Sequence, residues 1–226
     1  MNKTYFVTGT DTEVGKTFVS AALLEALNKK GLSTLGLKPV AAGCELDDGL
    51  WKNEDALFLQ KAASVSLPYE LVNPIALPDA IAPHLAAENQ GISLSVKNII
   101  SLLQGGLNEP AEVTLIEGAG GWYVPLNKRE FFSDFVVALS LPVILVVGIR
   151  LGCINHALLT VEAIQQTGLP LTAWVANCID PNMSSAQQNI RTLEASISAP
   201  CLGVVPYLPS GLSEEAASCL ETSILA

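Results

Sequence analysis

Several features of secreted and nucleic-acid-binding proteins are missing from this chain. Its five cysteines are an odd number and include no C-x-x-C pair, which argues against a disulfide framework and against a zinc site. Only 12 of its 226 residues are lysine or arginine, against 22 acids, and the net charge of −10 disfavours a nucleic-acid partner and an anionic bilayer surface. The cysteines are therefore expected to be reduced thiols, and an anionic ligand must be drawn by a local site.

An uninterrupted membrane-spanning run is also missing, although half of the residues are hydrophobic. The uncharged stretch between Asp134 and Arg150 contains Pro142 and Gly148 and is shorter than the ~20 residues that a spanning helix requires. It is better explained as the end of a helix followed by a buried strand. The few apolar residues before Gly9 leave no room for a secretory signal, so a cytoplasmic location is expected.

Apolar runs rich in β-branched residues alternate along the chain with segments of helical period. The runs are 5–8, 34–39, 113–117, 143–148, 171–177 and 202–206, and the helical segments are 17–29, 54–63, 94–104, 133–139, 154–167 and 184–197. Continuous hydrophobicity in the runs indicates strands that are buried on both faces. The pattern predicts one domain over residues 1–226 with a doubly wound α/β fold, in which a mainly parallel sheet carries helices on both faces.

The segment between the first predicted strand and the first helix has the form of a phosphate-binding loop. It runs from Gly9 to Thr17 and ends in Gly-Lys-Thr, with five residues instead of the usual four after Gly9. The backbone N–H groups of such a turn, together with the start of a helix, accommodate phosphate. Lys16 is expected to reach the β and γ phosphate oxygens and Thr17 to ligate Mg²⁺. A nucleotide or another phosphate compound is the predicted ligand.

Other candidate residues follow later strands, whose carboxyl ends meet at the same edge of a parallel sheet. Glu117 ends an apolar strand, and we expect it to be a metal ligand; the alternative is a surface loop acid. Asp55 either ligates the metal or is an acid favoured by the dipole at a helix start. Lys38 suits a transferring phosphoryl group or an anionic substrate, and the alternative is an ordinary solvated lysine.

The segment from Gly152 to Asn155 precedes the fifth predicted helix. Free N–H groups and an amide at such a position suit a carboxylate. The alternative is that Asn155 simply caps the helix.

Six short motifs together resemble the dethiobiotin synthetase family. They are Thr-Gly-Thr-Asp-Thr-Glu-Val-Gly-Lys-Thr at 8–17, Lys-Pro-Val at 38–40, Asn-Glu-Asp-Ala at 53–56, Glu-Gly-Ala-Gly-Gly-Trp at 117–122, Leu-Gly-Cys-Ile-Asn-His at 151–156 and Trp-Val-Ala-Asn at 174–177. The resemblance covers nearly the whole chain, and the five-residue loop spacing is typical of that family. It implies the P-loop NTPase type of the α/β fold.

The resemblance also implies an ATP- and Mg²⁺-dependent ring closure in biotin synthesis by a homodimer. One amine of 7,8-diaminopelargonate captures CO₂ as a carbamate, the γ-phosphoryl group of ATP activates it as a mixed anhydride, and the other amine attacks to form the cyclic urea. No protein nucleophile is needed, because phosphoryl transfer depends on positioning and charge stabilisation.

The same resemblance implies roles for individual residues. Lys16 and Lys38 would be the catalytic cations, and the Mg²⁺ ligands would be Thr17, Asp55 and Glu117. The nucleotide would contact Glu13, Val14, Gly15, Lys16, Thr17, Asp55, Glu117, Gly118, Ala119, Gly120, Asn177 (at the adenine edge), Cys178, Pro206, Tyr207 and Leu208. The substrate would contact Thr12, Lys38 and Ala42 of one subunit, with its carboxylate on Gly152, Cys153, Ile154 and Asn155 of the other.

Two positions depart from the family pattern. Ala42 stands where a hydroxyl residue is frequent, which leaves the corresponding substrate hydrogen bond open. Cys178 stands where an acid is common, which leaves the selectivity for the nucleotide base open.

A dimeric P-loop switch ATPase of the partitioning or septum-placement type is the alternative from another functional class. Such proteins place a lysine early in the loop, where this chain has Asp11, and many carry basic or amphipathic membrane elements. Residues 213–226 contain three glutamates and no lysine or arginine. ATP turnover that depends on a diamine and bicarbonate would distinguish a synthetase from a switch.

Overall fold

The computed structural model describes residues 2–226. Its strands are β1 (Lys3–Gly9), β2 (Thr34–Leu37), β3 (Val40–Ala42), β4 (Glu45–Asp47), β5 (Leu50–Lys52), β6 (Ile75–Leu77), β7 (Val113–Glu117), β8 (Val143–Ile149), β9 (Leu171–Cys178) and β10 (Cys201–Val205). Its helices are α1 (Lys16–Lys29), α2 (Glu54–Ala62), α3 (Tyr69–Val72), α4 (Pro83–Asn89), α5 (Val96–Leu107), α6 (Phe132–Ala138), α7 (Cys153–Gln166), α8 (Ala186–Ser196) and α9 (Ser213–Ala217).

The six strands predicted from the sequence form one parallel sheet. Its order is β10-β9-β8-β1-β7-β2, with β1 between β7 and β8. The chain passes from β7 on one side of β1 to β8 on the other, which places a topological switch point at the carboxyl end of β1. The phosphate loop begins there, so the fold places a crevice next to the predicted site.

Helices cover both faces of this sheet, as the continuous hydrophobic runs predict. Phe6 of β1 packs in a cluster with residues of α5 and α6 on one face. Its neighbours Tyr5 and Val7 point to the other face and pack with residues of α1 and α9. The doubly wound α/β prediction is therefore confirmed.

The structure corrects the sequence prediction in the part of the chain that follows β2. The second strand ends at Leu37 and not at residue 39, because the N–H of Lys38 bonds to the carbonyl of Val72 and Pro39 has no N–H to donate. Strands β3 and β6 pair in a small parallel sheet, and β4 and β5 form a hairpin. These three-residue strands and the short helices α3, α4 and α9 were not predicted, since they are too short to show a hydrophobic period.

Over residues 2–226, no helix is both long enough and apolar enough to cross a membrane.

Candidate active site

The phosphate loop joins β1 to α1 and packs too closely for larger residues. A Cβ atom on Gly9 would lie 2.6 Å from a methyl group of Val14, and one on Gly15 would lie 2.2 Å from the amide nitrogen of Asn177. Gly15 also has a φ of 80°, which favours glycine, and it is the N-cap of α1. No side chain caps this helix start, which begins at Lys16, so its first N–H groups suit a phosphate.

Lys16 lies inside the loop that it is predicted to serve. It is 8% exposed, and its Nζ donates to the carbonyl of Asp11 over 3.3 Å. Burial lowers the pKa of Lys16, against the attraction of Glu117. Thr12 and Glu13 are exposed on the loop, and Glu13 has a φ of 59°.

Four predicted residues from different parts of the chain form one cluster, in which two carboxylates contact the ammonium group of Lys38. Lys38 Nζ lies 2.6 Å from Glu117 Oε1 and 3.0 Å from Asp55 Oδ2. The Thr17 hydroxyl donates to the same Glu117 oxygen over 2.8 Å. Lys38 is 4% exposed and Glu117 is fully buried, so the alternatives of a solvated lysine and a surface acid are wrong.

The charges in this cluster support one another. Burial opposes the charge on Lys38, but the attraction of Glu117 and Asp55 outweighs it and raises the pKa of Lys38. Burial likewise opposes the charge on Asp55, and the attraction of Lys38 lowers the pKa of Asp55 below its ordinary value. Lys38 and Asp55 therefore carry their charges at neutral pH.

The cluster has the chemistry that a magnesium site requires. Thr17, Asp55 and Glu117 supply hydroxyl and carboxylate oxygens, the ligands that this hard cation prefers. Glu117 Oε2 is buried and has no hydrogen-bond partner within residues 2–226, so one acceptor is left over in the cluster. A cavity of about 500 Å³ is lined by Thr17 and Asp55. These residues fit the predicted metal.

The glycine-rich loop after β7 lies against the phosphate loop. The N–H of Gly118 bonds to the carbonyl of Val7 over 3.0 Å. A Cβ atom on Gly120, whose φ is 62°, would lie 3.5 Å from the Thr12 hydroxyl, and one on Gly121 would lie 3.6 Å from the carbonyl of Gly9. The structure thus brings Gly118, Ala119 and Gly120 to the predicted nucleotide contacts of the first loop.

Asn177 is the last residue but one of β9, lies beside the phosphate loop and has a contact that the sequence did not indicate. Its side-chain amide is buried and donates to the carbonyl of Val14 over 2.9 Å. Cys178, the next residue, is partly buried, and burial raises the pKa of its thiol. Asn177 therefore braces the loop in addition to its predicted place at the adenine edge.

Residues 206–208 follow β10, the strand that pairs with β9. Leu208 packs against the same hydrophobic cluster as Val14, whereas Pro206 and Tyr207 are exposed. Their position beside β9 places them on the side of the loop that Asn177 occupies.

The predicted carboxylate segment forms the start of α7. Gly152 is the N-cap with a φ of 91°, and no side chain caps the helix, so the alternative of capping by Asn155 is wrong. Cys153 is buried, Ile154 is partly buried, and Gly152 and Asn155 are exposed. This segment faces solvent, as a contact with a second subunit would require.

Ala42 ends β3, away from the large sheet. Its carbonyl accepts a hydrogen bond from the Asn53 side chain over 3.3 Å, which connects it to the start of α2 and hence to Asp55. Ala42 is partly buried, and its methyl group offers no hydrogen bond to a substrate.

One ion pair of the site was not predicted. Arg150 Nη2 lies 2.5 Å from Asp11 Oδ2, and the other oxygen of Asp11 accepts the N–H of Thr12. The pair joins the phosphate loop to the end of β8, directly before the carboxylate segment. An acid inside a phosphate loop was the available signal, because such a charge favours a nearby cation.

Comparisons with known proteins agree with this geometry. A family model described as an AAA domain matches residues 3–215. The ATP-dependent dethiobiotin synthetase BioD of Cellvibrio japonicus is 52% identical over 223 residues, covering 99% of this chain and 97% of that protein. The protein of the same name from Pseudomonas aeruginosa (strain UCBPP-PA14) is 51% identical over 217 residues, covering 96% and 95%.

Two solved structures share the fold at low sequence identity. Cobyrinic acid a,c-diamide synthase from Mycobacterium smegmatis, with a bound ATP analog and magnesium, has a TM-score of 0.61 at 16% identity and covers 96% of this chain and 92% of its own. The septum site-determining protein MinD from Pyrococcus horikoshii, complexed with Mg-ADP, has a TM-score of 0.55 at 18% identity and covers 96% and 86%.

The parallel sheet, the switch point and the phosphate loop define a nucleotide-binding protein of the P-loop class. The likeness to MinD concerns the fold alone, so it lends no support to a switch ATPase. With half of its residues identical over nearly its whole length, the chain belongs to the ATP-dependent dethiobiotin synthetase family.

Proposed function

We propose that the chain forms the ureido ring of dethiobiotin in biotin synthesis, from 7,8-diaminopelargonate, CO₂ and ATP. The identity of about 50% to dethiobiotin synthetases supports this activity. The observation that carries the proposal is the buried Lys38, held between Glu117 and Asp55 beside the phosphate loop.

The reaction balances without a protein nucleophile. One substrate amine forms a bond to the carbon of CO₂ and loses a proton, which gives a carbamate. A carbamate oxygen then attacks the γ phosphorus while the bond to the β-phosphate oxygen breaks and ADP leaves. The second amine attacks the carbamate carbon, the carbon–oxygen bond to phosphate breaks, and the cyclic urea forms with release of phosphate and a proton.

Lys16 and Lys38 stabilise the charge in this scheme. Lys16 follows the loop glycine and serves the β and γ phosphates. Lys38 enters from a different strand and serves the carbamate and the transferring phosphoryl group, where two anionic reactants must approach each other. Fixed cations aimed at developing charge are a large source of rate enhancement in buried sites.

We assign the Mg²⁺ of the reaction to Thr17, Asp55 and Glu117. When bound, this ion supplies charge neutralisation between the phosphates of ATP. The orphaned oxygen of Glu117 and the convergence of three oxygen-bearing side chains support the assignment. The remaining work of these residues is to hold Lys38 in place.

The positions of the loops support the proposed nucleotide and substrate contacts. We assign the phosphates to 13–17 and to 118–120, and the base to Asn177, Cys178 and 206–208, where Asn177 already braces the loop. We assign Thr12 and Ala42 to contacts with the diamine. A cytoplasmic location is proposed because ATP is supplied there.

We propose further that the enzyme is a homodimer whose second subunit binds the substrate carboxylate through 152–155. The exposed start of α7 and the strongly exposed Leu151 beside it support a contact between subunits. A chain with a net charge of −10 repels an anionic tail unless local N–H groups compensate, and a helix start supplies them.

Mass spectrometry of the product from diaminopelargonate, ¹³C-bicarbonate and ATP tests the activity. We expect a cyclic urea that contains one ¹³C atom, formed together with ADP. An ATP hydrolysis rate that does not depend on the diamine, with no urea formed, would contradict the proposal and favour a switch ATPase.

Mixing two impaired variants tests the shared site. Asn155→Ala should weaken the binding of diaminopelargonate by roughly 1–3 kcal/mol, because one charge-assisted hydrogen bond is lost. The binding of ATP should weaken much less. If each site uses Lys16 of one subunit and Asn155 of the other, mixed dimers of Asn155→Ala and Lys16→Ala hold one intact site. Activity above that of either parent is expected. No gain after verified subunit exchange would place the carboxylate site within one chain.

A further inference from the structure

A chain of buried hydrogen bonds runs behind the active site and connects two of its residues. The Tyr69 hydroxyl accepts the backbone N–H of Asn53 over 2.7 Å and donates to Asn73 Oδ1 over 2.9 Å. Tyr69 and Asn53 are each 9% exposed and Asn73 is 3% exposed. Buried polar groups that satisfy one another in this way hold a local structure rigid.

Each end of the chain reaches the backbone of a reactive residue. At one end, the Asn73 side chain donates to the carbonyl of Lys38 over 2.6 Å. At the other end, Asn53 caps α2, and its side chain accepts the N–H of Asp55 over 3.1 Å. The backbone N–H of Lys38 donates to the carbonyl of Val72, the residue before Asn73. Val72 and Asn73 therefore bind both the N–H and the carbonyl of Lys38.

The large sheet fixes only part of the cluster. Lys38 follows β2 and Glu117 ends β7, and these strands are paired directly, so the ladder sets the separation of the two residues. Asp55 lies on α2, which is no part of that sheet and whose buried residues begin only at Ala56. Its first turn therefore needs another support to stay close to Lys38.

We infer that Tyr69 and Asn73 are positioning residues that keep Lys38 at its working distance from Asp55, an inference that rests on the function proposed for those two groups. Neither residue is among those assigned above to a reactant. The hydroxyl of Tyr69 is the single link between the two halves of the chain, because it is bonded to Asn53 on one side and to Asn73 on the other. Loss of this oxygen breaks the hydrogen-bond chain and leaves Lys38 joined to the start of α2 by the ion pair with Asp55.

Tyr69→Phe removes that oxygen and little else. A second buried tyrosine offers a matched control, since the Tyr5 hydroxyl bonds to the carbonyl of Leu225 at the opposite end of the sheet. We expect the kcat of Tyr69→Phe to fall on the order of tenfold to a hundredfold, because a small misplacement of a positioned group has effects of that size. The KM for ATP should stay close to wild type, and Tyr5→Phe should keep the wild-type kcat. Equal kcat values for the two variants, or a KM for ATP that rises as much as kcat falls, would overturn the inference.

A second measurement uses no substrate and so separates this inference from the proposed function. The thermal midpoint is measured for Tyr69→Phe alone and in an Asp55→Asn background. If Tyr69 holds the ion pair in place, the fall in midpoint is smaller where the pair is already broken. An equal fall in both backgrounds would count against positioning, even if the wild type makes the cyclic urea. If Tyr69→Phe does not fold, Asn73→Ala breaks the chain at Lys38 and enters the same assays with the same expected outcomes.

Discussion

Replacement of Lys38 by methionine removes a charge and keeps most of the side-chain volume. Methionine is of similar length but leaves Glu117 buried without its cation. Breaking a buried ion pair by removal of one partner costs about 3–5 kcal/mol of folding stability. The pair with Asp55, whose side chain is half exposed, adds little to this figure. The larger consequence is in the reaction, since a lost stabilising group in a dry site lowers kcat by about 10²–10³.

Two variants separate the stability effect from the catalytic effect. Lys38→Met combined with Glu117→Gln removes both charges of the buried pair, so urea unfolding should show a stability that returns toward wild type. Both variants should stay inactive in single-turnover assays of dethiobiotin formation. In Lys38→Met the Kd for ATP should change far less than kcat, because Lys16 and the loop amides bind the phosphates. A kcat within about tenfold of wild type, or an ATP affinity that falls as much as kcat, would refute the division of work between the two lysines.

Three further predictions concern single positions. Glu117→Gln should raise the Mg²⁺ concentration required for half-maximal activity, and an unchanged Mg²⁺ titration would remove Glu117 from the metal site. Gly15→Ala and Gly31→Ala share a strained positive φ that costs about 1–2 kcal/mol, but only the first meets an atom, Asn177 Nδ2. Urea unfolding should therefore show the larger loss in Gly15→Ala, and equal losses would contradict the contact. Burial raises the pKa of Tyr69 from 10.0 to about 12, so its stabilising contribution is complete below pH 10 and lost as the pH rises toward 12. Between those values wild type should lose stability more steeply than Tyr69→Phe, and parallel curves would be evidence against the shift.

The large sheet could be predicted because its strands are long and buried on both faces. Continuous apolar runs such as 143–148 have few other stable settings than a parallel sheet between helices. The region from 40 to 93 could be predicted in the same way only at α2, which the helical segment 54–63 indicated. Its strands have three residues each and its other two helices four and seven, so their positions depend on contacts with other segments more than on local periodicity.

The residues of the site were predictable where a strand end or a loop motif marked them. Lys38 follows β2, and Glu117 is the last residue of β7, which lies between β1 and β2. The two residues therefore share one edge of the sheet. The contacts that hold these residues were not predictable. Tyr69 and Asn53 are 16 positions apart, and Asp11 and Arg150 are 139 apart, and no local pattern links residues over such distances.

The hydrogen-bond inventory of the cluster explains why it suits two ligands of opposite charge. A buried ion pair is weak evidence for stability, because apolar residues of the same volume often serve as well. An ammonium group has three donors, and Lys38 uses two of them, on Glu117 and Asp55, within residues 2–226. Glu117 in turn keeps one buried oxygen without a donor from those residues. One donor and one acceptor thus remain in the same cluster, which suits an anion and a cation together. A phosphoryl group that arrives with its magnesium ion is such a pair.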